Sequence, residues 1–161
     1  MLLETLFTAG SMIQICAPTF STEEEALKRI PENMDIIITI KKTAKEDYQI
    51  FTMPILLFAK NSSVVTNTND LISIIEFLKE STTMKVEIRG HADSDEFDKE
   101  QLAKSRSKAI IIYLIENGID ASRLKGKGFS DTQLIYDCTK VSCDEEQHHQ
   151  NRNCEIIITD L

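Results

Sequence analysis

Between Met84 and Gly118 the spacing of apolar residues changes once, from two to about three and a half, and that switch narrows the folds open to this chain. Met84 to His91 alternates Val86 and Ile88 against Lys85, Glu87 and Arg89, the pattern of a strand with one face on a core and the other wet. Gly90 ends it. From about Asp98 to Asn117 the apolar positions Leu102, Ala109, Ile110, Tyr113 and Leu114 share a helical face that would lie on the sheet. Asn117-Gly118 supplies a left-handed stop, and Ile119 the apolar contact that commonly follows it.

The segments from 54 onward complete this unit, and the strand at 35–42 belongs with what precedes it. Asp35 to Lys42 holds the β-branched run Ile36-Ile37-Ile38-Thr39-Ile40, a strand by length, and Lys41 to Asp47 reads as a polar connection. Pro54 to Ala59 reads as a strand buried on both faces. Leu71, Ile74, Ile75 and Leu78 fall at i, i+3, i+4 and i+7, one stripe of a helix with Asn69 as its N-cap. Lys125 to Phe129 and Glu155 to Thr159 are two further strands. The order implies an α+β fold of two layers, βαβαββ, with two helices packed on one mixed β-sheet. Residues 1–42 read as a leading segment, either the end of an upstream module or partly vector-derived, with a short helix near Glu23 to Arg29; residues 53–161 form the main domain.

Charge excludes some partners. With 18 Lys and Arg against 26 Asp and Glu, the net charge of -8 would repel nucleic-acid phosphates, and no local basic patch offsets it. The longest strongly apolar runs fall far short of the roughly 20 residues that cross a bilayer. Met1-Leu2-Leu3-Glu4 lacks the basic start and apolar stretch of a secretory signal, so any export signal is expected to lie outside this sequence. Of the four cysteines, Cys138 and Cys143 could close a small loop in an oxidising compartment, or join His148 and His149 around zinc, although adjacent histidines are not the usual spacing. Cys16 and Cys154 either pair with each other or stay as buried thiols.

Chemistry concentrates where the strand meets the helix. Asp93 and Arg106 place a carboxylate at the strand end and a guanidinium in the first turns of the helix. Such a pair can clasp a zwitterion, the acid taking an ammonium and the fork a carboxylate, or it can merely tie loop to helix. The acidic run Asp93-Ser94-Asp95-Glu96-Phe97-Asp98 is not a calcium loop, because Asp98 stands where glycine is needed and Lys104 where a bidentate glutamate is needed; it reads as a solvated loop. No phosphate-binding glycine loop, nucleophile elbow or zincin motif is present, and Ser105 has no evident base, so no enzyme activity and no cofactor are expected.

Several ordered motifs over residues 53–161 resemble the OmpA-like C-terminal peptidoglycan-binding domain. Gly90-His91-Ala92-Asp93 is similar to its Gly-His-Thr-Asp, and Leu102 to Arg106 to its Leu-Ser-x-x-Arg. Tyr113-Leu114 with Gly118-Ile119, Arg123-Leu124 with Gly126 to Phe129, and Asn151-Arg152 resemble its later motifs. Cys138 to Cys143 is similar to a Cys-x4-Cys insertion in a subgroup whose members often carry tetratricopeptide, β-propeller or carboxypeptidase-regulatory-like modules upstream.

The resemblance implies a non-catalytic domain, periplasmic and associated with the outer membrane, that binds the diaminopimelate of peptidoglycan stem peptides and anchors a larger envelope assembly. By position Asp93 and Arg106 match the ligand-binding pair, with Leu102, Asn61 and Ala92 around the same pocket and His91, Asn151 and Arg152 in support. Diaminopimelate ends in a carbon bearing both amine and carboxylate, whereas a lysine stem offers the amine alone. Departures bear on the pocket. Ala92 and Ala103 each lack a family hydroxyl, Lys60 and Asn61 replace an aromatic and an acid, Asn153 replaces a second arginine, and the loop after Asp93 is short and lacks the family glycine. The alternative is a scaffold that has lost its ligand and binds another envelope protein.

Overall fold

The computed structural model describes residues 19–20, 36–42 and 48–160, with side chains from residue 53 onward. In chain order the elements are β1 (Thr19–Phe20), β2 (Ile36–Lys42), β3 (Tyr48–Pro54), β4 (Leu56–Leu57), α1 (Thr68–Glu80), β5 (Lys85–Gly90), α2 (Lys99–Glu116), β6 (Leu124–Gly128), α3 (Glu145–Asn151) and β7 (Asn153–Asp160). Strands β1, β3 and β2 form an antiparallel sheet in that order, with Ile40 opposite Ile50. A second, mixed sheet runs β4-β7-β5-β6, parallel only between β5 and β6. The helix expected near residues 23–29 and the reading of Cys16 fall outside the described residues.

Alternation in the central strands builds the core. Val86 and Ile88 of β5 and Ile156 and Ile158 of β7 turn to one face, where Leu71, Ile74, Phe77 and Leu78 of α1 and Ile110 and Leu114 of α2 cover them. Each such side chain taken from water contributes about 1.5–3 kcal/mol. The stop after α2 takes the expected form: Gly118 has φ of 93°, the N–H of Ile119 donates to the carbonyl of Leu114 at 3.0 Å, and Ile119 is buried. At the other end, Arg123 donates to the carbonyls of Leu78, Ser81 and Met84, fastening the end of α1 to the start of β5.

Three local expectations change. The run 54–59 pairs as strand only at Leu56–Leu57, and Leu56 and Phe58 are buried while Ile55 and Leu57 are half-buried, so it has one inner face rather than two. The N-cap of α1 is Asn67, two residues ahead of Asn69; its side-chain amide donates to Asp70 instead of closing the helix end. A third helix, α3, joins the two expected ones. Asp144 accepts from the N–H of Gln147 at 2.9 Å while the Gln147 side chain accepts from the N–H of Asp144 at 3.0 Å, a reciprocal cap legible as Asp-x-x-Gln.

Gly90 is where β5 and α2 come closest. A Cβ added there would lie 2.0 Å from the carbonyl oxygen of Ala103, a backbone atom that cannot swing aside. Gly90→Ala is therefore expected to force helix from strand at a cost of about 1–3 kcal/mol, read as a lower urea midpoint; an unchanged midpoint contradicts this packing.

Candidate functional site

The turn between β5 and α2 is folded inward. Asp93 and Glu96 are buried, whereas Asp95, Phe97 and Asp98 are exposed. The solvated-loop reading is thus corrected at these two acids, because each has protein donors that replace water. Glu96 faces four. Its Oε2 accepts from Arg106 Nη1 at 2.7 Å and from the N–H of Asp93 at 2.9 Å, and its Oε1 accepts from Arg106 Nη2 and from the N–H of Asn61, each at 2.6 Å.

Arg106 is fully buried and has no donor to spare. Nε donates to the carbonyl of Ser62 at 2.9 Å, Nη1 also to that of His91 at 2.9 Å, and Nη2 also to that of Ala59 at 3.2 Å. With the two bonds to Glu96, all five guanidinium N–H groups are used. Phe58 covers the guanidinium plane, its ring centre 5.3 Å from Cζ. The ion pair that joins loop to helix is therefore Glu96 with Arg106; it is not Asp93 with Arg106.

The Asp93 side chain turns to the C-terminal part of the chain. Oδ1 accepts from Asn151 Nδ2 at 2.7 Å, and Oδ2 lies 2.7 Å from His148 Nδ1 and accepts from the N–H of Asp95 at 3.1 Å. Burial pushes this carboxyl up, but its hydrogen bonds with Asp95, Asn151 and His148 outweigh burial and hold its pKa below the ordinary carboxylate value. Asp93 thus touches the Glu96 carboxylate through its backbone while its own carboxylate points toward α3.

The other expected residues surround these two acids. Asn61 adopts φ of 53°, which Asn tolerates better than most residues, and its Oδ1 accepts from the N–H of Phe97 at 3.0 Å. Ala92 is buried and its N–H donates to Ser130. Leu102 is half-buried in the first turn of α2. His91 is buried, stacks on Phe129 at 5.4 Å between ring centres, and sets Nε2 3.5 Å from Glu155. Asn151 also accepts from the N–H of Tyr136, and Arg152 is buried with Nη2 on Glu145 at 2.6 Å.

Sequence reasoning did not assign Glu96 or His148 to the site. For Glu96 the available signal was an acid three residues beyond Asp93, on a loop too short to stay clear of α2. Cys138 and Cys143 are disulfide-bonded, and Cys154 is a buried free thiol whose pKa burial pushes up. Cys138 Sγ lies within 4.8 Å of the ligand atoms of Asp93 and His148, but a disulfide sulfur is no thiolate, so this cluster offers a metal two good ligands.

Two outcomes follow. Arg106→Ala leaves the carbonyls of Ala59, Ser62 and His91 without their donor and Glu96 without its cation, and is expected to cost about 3–5 kcal/mol in chemical denaturation; a loss below about 1 kcal/mol contradicts the burial of this guanidinium. Asp93, its folded pKa depressed, contributes stability above the ordinary value near 3.9, lost as pH falls through the folded value. The stability gap between wild type and Asp93→Asn should therefore narrow as urea unfolding is repeated at falling pH, and a gap independent of pH contradicts it.

The OmpA family model matches residues 57–148, more than half of the chain. Among solved structures, the peptidoglycan-associated lipoprotein from Burkholderia pseudomallei aligns with a TM-score of 0.59 at 17% identity, covering 65% of this chain and 89% of that one. The periplasmic domain of Helicobacter pylori MotB aligns at 0.53 and 18% identity, covering 74% and 87%. The cell wall anchor of the type VI secretion system (T6SS) from Pseudomonas aeruginosa aligns at 0.54 and 21%, covering 74% and 85%. At these identities the likeness establishes the fold. A curated relative, photosystem I P700 chlorophyll a apoprotein A2 from Gloeobacter violaceus, is 31% identical over 94 residues, but the chain spans only 10% of its length.

Proposed function

The chain belongs to the OmpA family, and from that premise we propose that it binds peptidoglycan non-covalently, through the diaminopimelate of the stem peptide, and anchors an envelope assembly to the cell wall. The observation that carries the reading is a ready-made carboxylate seat. Both oxygens of the Glu96 carboxylate are held by the Arg106 fork and by the N–H groups of Asn61 and Asp93, a donor set that fits any carboxylate, and the Asp93 carboxylate belongs to the same turn. A ligand carboxylate in that seat, with its ammonium turned to Asp93, satisfies both charges at once. Binding of this kind needs no bond to be made or broken, and the domain acts as a clasp rather than an enzyme.

The names of the aligned structures agree with this: a peptidoglycan-associated lipoprotein, a periplasmic domain and a cell wall anchor. By the same reasoning the domain works in the periplasm, beside the outer membrane. The leading residues 1–42 then join it to what it anchors, and residues 53–161 grip the wall. Asp93 and Arg106 are the ligand pair, Asn61 contributes a backbone donor, Ala92 and Leu102 wall the turn, and His91, Asn151 and Arg152 brace it.

A second reading has one observation of its own. Glu96 already fills the seat, as it would in a scaffold that has given up its ligand and binds another envelope protein. Calorimetry with a soluble diaminopimelate muropeptide separates the two readings, with saturable heat for the first and none for the second.

The direct test is sedimentation with purified sacculi. Wild type is expected to pellet with diaminopimelate-type walls more than with lysine-type walls, and Asp93→Asn, losing a charge-assisted bond worth about 1.5–3 kcal/mol, to remain largely in solution. Equal pelleting with both walls sinks the diaminopimelate assignment, and pelleting with neither sinks wall binding.

A further inference from the structure

We infer that the Glu96 carboxylate is an internal stand-in for the ligand's carboxylate, making Glu96 the residue that sets how tightly a carboxylate must bind to enter this site. This rests on the peptidoglycan reading above and adds to it a competitor built into the chain.

The two partners of the buried ion pair are held unequally. Arg106 keeps three carbonyl acceptors, from Ala59, Ser62 and His91, and the covering Phe58 ring whether or not Glu96 is present. Glu96 has no comparable second hold. It lies on the turn between β5 and α2, its neighbours Asp95 and Phe97 are exposed, and Phe97 leaves 79% of its surface in solvent. Outside the Glu96 carboxylate, the turn is tied beyond Asp93, among the described residues, only by an exposed Lys60–Asp95 pair and by the N–H of Phe97 on Asn61, its firmer hold being the Asp93 carboxylate on Asn151 and His148, three residues before Glu96. When the pair opens, Glu96 is the partner that moves, and four donors aimed at two oxygens remain.

An intramolecular carboxylate changes what can compete. A simple monocarboxylate entering the seat trades one set of bonds for an equal set and pays for its own immobilisation, so it gains nothing over Glu96. A carboxylate tied to an ammonium gains a second contact at Asp93 that Glu96 cannot make. The competitor therefore lowers the apparent affinity of every ligand by the fraction of molecules whose seat is open, so at modest concentration the seat is taken only by an end that also gains the contact at Asp93.

The test uses the whole chain, with acetate and free diaminopimelate as probes. Wild type should melt at the same temperature in acetate as in chloride of equal ionic strength and pH. Glu96→Ala should be stabilised by acetate in a dose-dependent way, and should bind diaminopimelate about tenfold more tightly than wild type if the seat is closed about nine-tenths of the time. Glu96→Gln, which keeps the shape but not the charge, covers the case in which the alanine variant does not fold, and should bind diaminopimelate more tightly than wild type. Variants that fold and bind diaminopimelate no better than wild type overturn the inference and leave wall binding intact. Acetate rescue without diaminopimelate binding by any form keeps the carboxylate seat and overturns both the competitor role and the diaminopimelate reading. If neither variant folds, and acetate restores neither, the contact is structural and the inference is overturned.

Discussion

The burial of one guanidinium governs the candidate site of this molecule. A positive charge fully removed from water is tolerated only when every N–H finds an acceptor, and Arg106 recruits its five from two stretches of chain that are far apart in sequence, Ala59 to Ser62 and His91 to Glu96. The Ala59 to Ser62 turn, the end of β5 at His91 and the turn at Glu96 are drawn together because their oxygens are needed at one place. The fold supplies the rest of the enclosure, with Phe58 over the plane and α2 holding the side chain against the sheet. A lysine here could satisfy at most three acceptors and could not present a fork, so the geometry of the site is a property of arginine.

The second acid is organised by a different part of the chain. The Asp93 carboxyl is held below its ordinary pKa, against its burial, by the N–H of Asp95 and by Asn151 and His148 of α3, and α3 is started by a reciprocal cap directly after the Cys138–Cys143 loop. The disulfide loop, the cap and the short helix thus act in sequence to deliver His148 and Asn151 to Asp93. The site is assembled from the β5–α2 turn on one side and the α3 segment on the other, and the Asp93 residue belongs to both, through its N–H and its carboxylate.

Much of the fold was legible because burial and period coincide. Val86 and Ile88 alternate with charged residues, Leu71 to Leu78 repeat at helical spacing, and Gly118 follows an asparagine at the end of α2; each local pattern agrees with its place in the sheet and helices. The run 54–59 was less so, since a short continuous apolar stretch does not say how many of its faces are covered. Helix α3 was missed because its polar sequence has no apolar stripe, although its cap was written in Asp144 and Gln147. The site was half legible. Residue type pointed to Asp93 and Arg106, but no spacing rule distinguishes a solvated glutamate from one that a buried arginine pulls inward, and so Glu96 could be found only once the turn was seen in three dimensions.

Seen as chemistry, the turn holds the Glu96 carboxylate on four donors beside a second buried carboxylate, that of Asp93. The question that decides its role is whether an incoming zwitterion takes that place. A crystal of the whole chain soaked in diaminopimelate answers it most directly. The account predicts ligand density bridging Arg106 and Asp93, with the Glu96 side chain swung out to solvent. Unaltered Glu96 on Arg106 at saturating diaminopimelate, with no density between the two residues, would contradict it.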